Sequence, residues 1–461
     1  MPIVTRQALT GALVAVTVAG CASSCTASHR AVSAPPGAAA AAGDTAGTTV
    51  EWPVTRCGTL SGTGCAPTAK RVDLKRPAFS HPTKITNPLF PISSLNSVVL
   101  LGKVEGLPFR SETTLLPGRH TVTVDGKEIE VAVSQYTAYL DGRIDEVAID
   151  RYAQDDDGSV WYFGEDVFDY RNGAVAITEG TWLAGRDGPP AMIMPAHPRV
   201  GDVFRAENVT GVVFEEITVK AINQTVNGPR GPITGAAIMA ELHNDGATSN
   251  KVFAPGYGEF YTSNSGEVEA LSLAVPTDKI NEPVLAELRR VSTGAWGVLE
   301  NARLGDWDAA NQTLKQLQGL WAELRSRKYP PLVVEWMTRE LKVLATAVTK
   351  EDVNVTSLAA VDVAQSALDL ELLYRGNVEI DRFHLHAQQL RVLAAMNDPA
   401  GVRAEVATLE WIRDRLAGLL NSTQLANLDA ELRALRAASD AKNVQAAADH
   451  AATAAAGIRR G

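Results

Sequence analysis

The sequence predicts an α+β chain of several domains, in which a curved antiparallel β-sheet or barrel-like meander precedes an all-α domain of two tandem four-helix units. Three observations carry this reading. Turn dipeptides recur at Asp125-Gly126, Asp141-Gly142, Asp157-Gly158 and Asn172-Gly173, at intervals of 16, 16 and 15 residues. Each suits a two-residue hairpin turn, because Asn, Asp and Gly best tolerate the positive φ that both central residues need. After Pro276 the apolar pattern changes to a helical period, and an echo of that text returns 92 residues later.

The turns delimit strands predicted over 129–140, 144–154, 160–170 and 175–183, a consecutive antiparallel meander. Strands over 97–104 and 109–116 precede it. Those over 203–207, 212–222, 233–242, 251–254 and 268–273 follow, with Asn227-Gly228 and Asp245-Gly246 as further turns. About nine to eleven short-looped strands point to one sheet, strongly curved or closed into a barrel. In Val160-Trp161-Tyr162-Phe163, and again over 136–140, large side chains fall on both parities. A one-sided sheet alternates apolar and polar residues, so these strands are expected to be covered on both faces. The segment 185–202 carries Pro189, Pro190, Pro195 and Pro198. Proline interrupts ladder pairing, so it reads as a long loop folded back over the sheet as a lid or pocket wall. The corresponding candidate ligand contacts are Tyr136, Trp161, Phe163, Trp182, Met192 and Met194, with simple core packing as the plainer alternative.

Helices are predicted over 282–303, 306–327, 332–349, 357–374, 380–397, 400–420, 423–438 and 441–458. Asp306 followed by Leu314, Leu317, Leu320 and Leu324 matches Asp398 followed by Val406, Leu409, Ile412 and Leu416. This predicts a duplicated four-helix unit, with Asp306, Asp398 and Asp440 as N-caps. The domain plan is therefore a signal peptide at 1–20, a tether with a disulfide loop at 21–78, the β domain at 79–276, and helical units at 277–376 and 377–461.

The amino terminus reads as a targeting segment. Arg6 supplies a basic region, an apolar run follows over 8–18, and small residues lead to a cysteine in Val18-Ala19-Gly20-Cys21. This resembles the lipobox of bacterial lipoproteins, which implies cleavage before Cys21, its acylation (palmitate among the chains), and a protein held to the cell membrane on the extracytoplasmic side. Plain secretory cleavage beside an incidental cysteine is the competing reading. The low-complexity stretch 22–50 would then be a tether of roughly 30 Å, taking 5–6 Å × √n for a flexible chain. Cys57 and Cys65 enclose a short loop and are expected to pair in an oxidising compartment, leaving Cys25 over.

The chain of 461 residues is 45% hydrophobic and 21% charged, ordinary for a globular protein, and its net charge of −10 argues against sequence-independent nucleic-acid binding. No catalytic motif is present: G-x-S-x-G, H-E-x-x-H, the P-loop and the Rossmann fingerprint are all missing from the sequence. Two metal candidates remain. Asp155 and Asp157 belong to an acidic hairpin tip without EF-hand spacing. His384 and His386 lie among acidic residues but flank their helix stripe on opposite sides, with Arg375 and Arg382 as simpler partners for the nearby acids. No cofactor is expected.

From 152 to 214 the text resembles a family of secreted bacterial proteins of unassigned function. The residues that carry this are Asp157-Gly158-Ser159-Val160-Trp161-Tyr162-Phe163-Gly164-Glu165-Asp166, Glu179-Gly180-Thr181-Trp182, Met194-Pro195 and Gly201-Asp202. Ala254-Pro255-Gly256-Tyr257-Gly258 is similar to a turn of exported curved-sheet proteins, some of which carry lipids or lipoproteins. The resemblance implies a fold and no established activity. The functional expectation is a lipid-anchored, non-catalytic binding or carrier module whose partners are the bilayer and an apolar small molecule. An envelope scaffold binding another protein through its helices, and an enzyme with a convergent site, are the alternatives.

Overall fold

The computed structural model describes residues 56–264 and 266–458; the signal segment, Cys21, Cys25 and most of the tether lie outside them. The β region runs β1 (Ser97–Val104), β2 (Leu107–Leu115), β3 (His120–Val124), β4 (Lys127–Leu140), β5 (Arg143–Gln154), β6 (Val160–Arg171), β7 (Ala174–Ile177) and β8 (Trp182–Leu183). It continues with β9 (Ala191–Met194), β10 (Val203–Val209), β11 (Val213–Gly228), β12 (Gly231–His243), β13 (Thr248–Ala254), β14 (Gly258–Asn264) and β15 (Glu267–Val275). Eight helices follow: α1 (Ala286–Arg303), α2 (Trp307–Leu324), α3 (Pro331–Thr349), α4 (Val353–Arg375), α5 (Glu379–Ala395), α6 (Pro399–Leu416), α7 (Ser422–Asp440) and α8 (Val444–Gly457).

All fifteen strands belong to one curved antiparallel sheet in the order β10-β11-β12-β13-β14-β15-β1-β2-β4-β5-β6-β7, with β3 on β4 and with β8 and β9 on β6. The sheet curls until β9 packs beside β10, yet no ladder joins them among the described residues, so it is not a closed barrel. Three of the meander turns have both central residues at positive φ: Asp125 and Gly126, Asp141 and Gly142, Asn172 and Gly173. At the fourth, only Gly158 is positive. There the three aspartates open the turn into a wider loop, in which the Asp157 carboxylate accepts from the Ser159 N–H at 2.9 Å.

Three expectations are corrected. Residues 191–194 are a strand rather than part of a lid: none of the four prolines falls inside it, so β9 can pair with β6. Residues 175–183 divide into β7 and β8, and β3 and β14 are additional strands. The stretch 56–78, expected within the tether, lies against the sheet. Its Cys57 and Cys65 form a disulfide, and the Val72 N–H donates to the Val203 carbonyl at 2.8 Å.

The convex face of the sheet carries the helices. Val99, Leu101, Leu273 and Val275 share one core with α1–α4, while α5–α8 have a core of their own around Leu390, Leu409 and Leu435. In each set the first helix packs on the second and fourth, and the third on the fourth. Asp306 and Asp398 cap the second helix of each set, accepting from the Ala309 and Gly401 N–H groups. Asp440 is no cap: it ends α7, and Asn443 caps α8 as Asp352 caps α4. Helix α6 closes the other end of the convex face, with Trp411, Ala404 and Ala407 on Tyr139, Ile144 and Val147. Gly173 sits so close to α6 that a Cβ there would meet the Ala404 backbone nitrogen at 2.3 Å, which accounts for glycine at that turn position.

Where sheet and helices meet, a charged network is sealed off from water. Glu112 on β2 accepts from Arg110 at 2.7 Å and from Arg415 of α6 at 2.6 Å, and Arg382 Nε of α5 lies 3.1 Å away. Arg110 also forks onto Asp369 of α4, at 2.5 and 2.9 Å. Arg415 reaches Gln135 and Thr137 on β4. Burial would raise the Glu112 carboxyl, but Arg382, Arg110 and Arg415 together hold it well below the ordinary range.

Candidate functional site

The concave face encloses a partly open cavity of about 260 Å³. Strand alternation decides its lining: on β5, Glu146, Ala148, Asp150 and Tyr152 point inward, whereas Val147 faces α6. One wall is apolar, formed by Phe90, Ile92, Leu95, Val98, Leu100 and Phe253. Phe90 packs edge-on against Tyr152, Tyr152 stacks on Tyr162 at 4.9 Å, and Tyr162 meets Trp182 edge-on, so aromatic rings run from the cavity into the core.

The opposite wall is acidic. Glu146, Asp150, Glu165, Glu215, Glu241, Glu259 and Glu269 line the cavity, and Lys251 is the one cation among its lining residues. Burial is the first cause of most of their shifts. It pushes Asp150 up to about 6, Glu269 to about 7 and the half-buried Glu146 to about 8. Tyr162 and Ser134 donate to Asp150 at 2.7 and 3.3 Å, which limits its rise. Just behind the wall, Glu207 accepts from the Trp182 indole N–H at 2.9 Å and is pushed up to about 8. Burial also carries its neighbour Glu165 well above the ordinary range. These carboxyls keep their protons to a higher pH than free carboxyls do, since water cannot solvate their charge.

At one end of the cavity, β11, β12 and β13 set Glu215, Glu241, His243 and Lys251 together. Glu215 pairs across the ladder with His243, and Glu241 with Ser249. Lys251 Nζ lies 3.3 Å from Glu241 Oε2, and Ser249 donates to the same oxygen at 3.0 Å. Burial raises Glu241 to about 7, whereas His243 and Lys251 overcome burial at Glu215 and bring it down to about 2. Among the described residues, Glu215, Glu241 and His243 are the one group of three metal-ligand side chains whose donor atoms converge, all within 4.8 Å of one another.

Tyr136 lines the cavity. Trp161, Phe163, Trp182, Met192 and Met194 are fully buried in the core behind the wall, where Phe163 packs on Phe79. Ile193, between the two methionines, is the β9 residue that reaches the cavity. Asp155 and Asp157 are bridged by Lys75, at 2.7 Å for Asp155. His384 Nε2 sits 2.9 Å from the Ala455 carbonyl at the end of α8. His386 Nδ1 is 2.8 Å from Glu405, with its ring stacked on Tyr139. The two histidines thus serve different contacts, and Arg375 takes Glu371 and Asp381. The acidic wall is not among the features expected from the sequence. Glu146 and Asp150 alternate with Val147 and Ile149 along β5, the pattern of a strand with one solvated face. None of the described helices is long and apolar enough to cross a membrane. No family model matches the chain, and no curated protein is similar to it in sequence.

Proposed function

We propose that the protein is a lipid-anchored extracytoplasmic binding module, held to the membrane through acylated Cys21, whose sheet concavity takes a small organic cation with an apolar body. One observation carries the ligand class: seven carboxyl side chains and a single lysine line a cavity of about 260 Å³ whose other wall is aliphatic and aromatic. A neutral apolar ligand, the expectation from sequence, would leave buried carboxyls facing hydrocarbon, which is unfavourable. An ammonium group beside them would favour their ionised form and pair with it, and the aromatic rings supply faces for cation–π contact. The tether expected over 22–50 would set the cavity away from the bilayer, within reach of solutes of the envelope.

Two measurements test the parts separately. Cys21→Ala should leave the precursor uncut or shift the protein from the membrane to the soluble fraction; unchanged fractionation and mass defeat the anchor. For the ligand, the purified full chain is titrated calorimetrically with hexylammonium, hexanol and hexyl sulfate. Hexylammonium should bind at one equivalent, and Glu146→Gln and Glu269→Gln should each weaken it roughly tenfold, the worth of one charged hydrogen bond. Hexanol binding as tightly as the amine would return the site to a neutral apolar ligand.

A further inference from the structure

We infer that Glu215, Glu241 and His243 form a binding site for a first-row divalent metal ion, of which zinc is the representative, at the β11–β12 end of the cavity. The strands place the donors by register alone. Glu215 and His243 are directly opposed, and Glu241 lies two residues before His243, so all three side chains share one face. Their donor atoms already fall within 4.8 Å of one another. A tetrahedral ion with bonds of ~2.0–2.2 Å wants donors about 3.4 Å apart, so small rotations of the two glutamates suffice.

The second observation is independent of the clustering. Glu241 is 1% exposed, lines the cavity, and its Oε1 makes no hydrogen bond, although Oε2 is occupied by Ser249 and Lys251. His243 Nδ1 likewise has no hydrogen-bond partner, and it faces Glu215 Oε1 at 3.6 Å. Buried polar atoms left without partners cost free energy, and an ion between them would satisfy both. His243 Nε2 is meanwhile within 3.0 Å of Ser249 Oγ, which orients the ring as outer partners of ligating histidines do. One imidazole and two carboxylates suit zinc or its neighbours, whereas calcium and magnesium want oxygen alone. Three protein donors leave a fourth position, and the cavity lies beside it. Lys251 adds an opposing positive charge and should limit the affinity.

The test uses zinc alone and the full chain without a polyhistidine tag, stripped with chelator and followed by calorimetry. Wild type should take up one equivalent of zinc and far less calcium. His243→Ala and the isosteric Glu241→Gln should each weaken uptake by at least roughly tenfold while circular dichroism and thermal melts stay wild-type. Lys251→Met should tighten it, and Glu146→Gln, across the cavity, should leave it unchanged. Absence of saturable one-equivalent uptake, equal uptake of calcium, or affinity unmoved in both His243→Ala and Glu241→Gln would overturn the assignment. Zinc uptake does not require amine binding, so the failure of one leaves the other readable.

Discussion

Replacing Glu112 by glutamine is expected to destabilise the protein by roughly 3–5 kcal/mol, the usual effect of removing one partner from a buried ion pair. The Glu112 side chain is fully enclosed and is shared by Arg110, Arg382 and Arg415, which arrive from β2, α5 and α6. Glutamine keeps the shape but leaves cationic charge uncompensated where water cannot reach it. The network also spans the sheet and both helical sets, so its loss loosens their junction and not one element alone. Denaturant unfolding of the variant checks this. The exposed pair of Arg290 and Glu287 supplies the control, and Glu287→Gln should leave the unfolding midpoint in place. An unmoved midpoint for Glu112→Gln would mean that the network relaxes or takes up water.

The second large effect is on the pH dependence of stability. Asp150, Glu269 and Glu207 have folded pKa values raised by burial to about 6, 7 and 8. A raised carboxyl holds its proton in the folded state and releases it on unfolding. Its contribution is therefore complete below the unfolded value and is lost as pH rises through the folded one. Each such proton gives a slope of about 1.4 kcal/mol per pH unit, reduced where neighbours titrate together. Glu215 and Asp157 have the opposite sign, but both are lowered to about 2, so their contributions are lost only below the ordinary carboxylate range. Between pH 5 and pH 8 the raised group dominates, and stability should fall steadily. Glu207→Gln and Glu269→Gln should flatten the curve. Stability that is level or rising over that interval would show that the wall is solvated and ionised.

The meander and the helices were legible because their signals are local. Asp-Gly and Asn-Gly set φ within two residues, and the Asp306 and Asp398 caps sit one position before their helices. The acidic cavity was not legible, for a physical reason. Glu146-x-Ala148-x-Asp150 reads as the solvated face of a strand, and only the curl that brings Ile217 and Phe253 over it makes that face an interior. Likewise Arg110 and Asp369 stand 259 residues apart, and neither carries a local mark of burial. The resemblance around 152–214 rested on Trp161, Phe163 and Trp182, which turned out to build the core behind the cavity. Met192 and Met194 were misplaced in a loop because the prolines around them outweighed four residues of strand. The covering of both sheet faces was correctly expected from the double parity of β6. Over 160–163 the second cover is the segment before β1, where Phe79 meets Phe163, and further along β6 it is α6, where Trp411 meets Phe168.

The position of a bound amine decides whether the concavity is a cation site. Crystals of the full chain soaked with 6-bromohexylammonium carry an anomalous bromine signal that locates the alkyl end without bias. One bromine is expected against the wall of Phe90, Leu100 and Phe253, with the ammonium directed at the carboxyl groups of Glu146 and Glu269. Bromine found only on the outer surface, or a cavity that takes bromohexanol in preference to the amine, would contradict it.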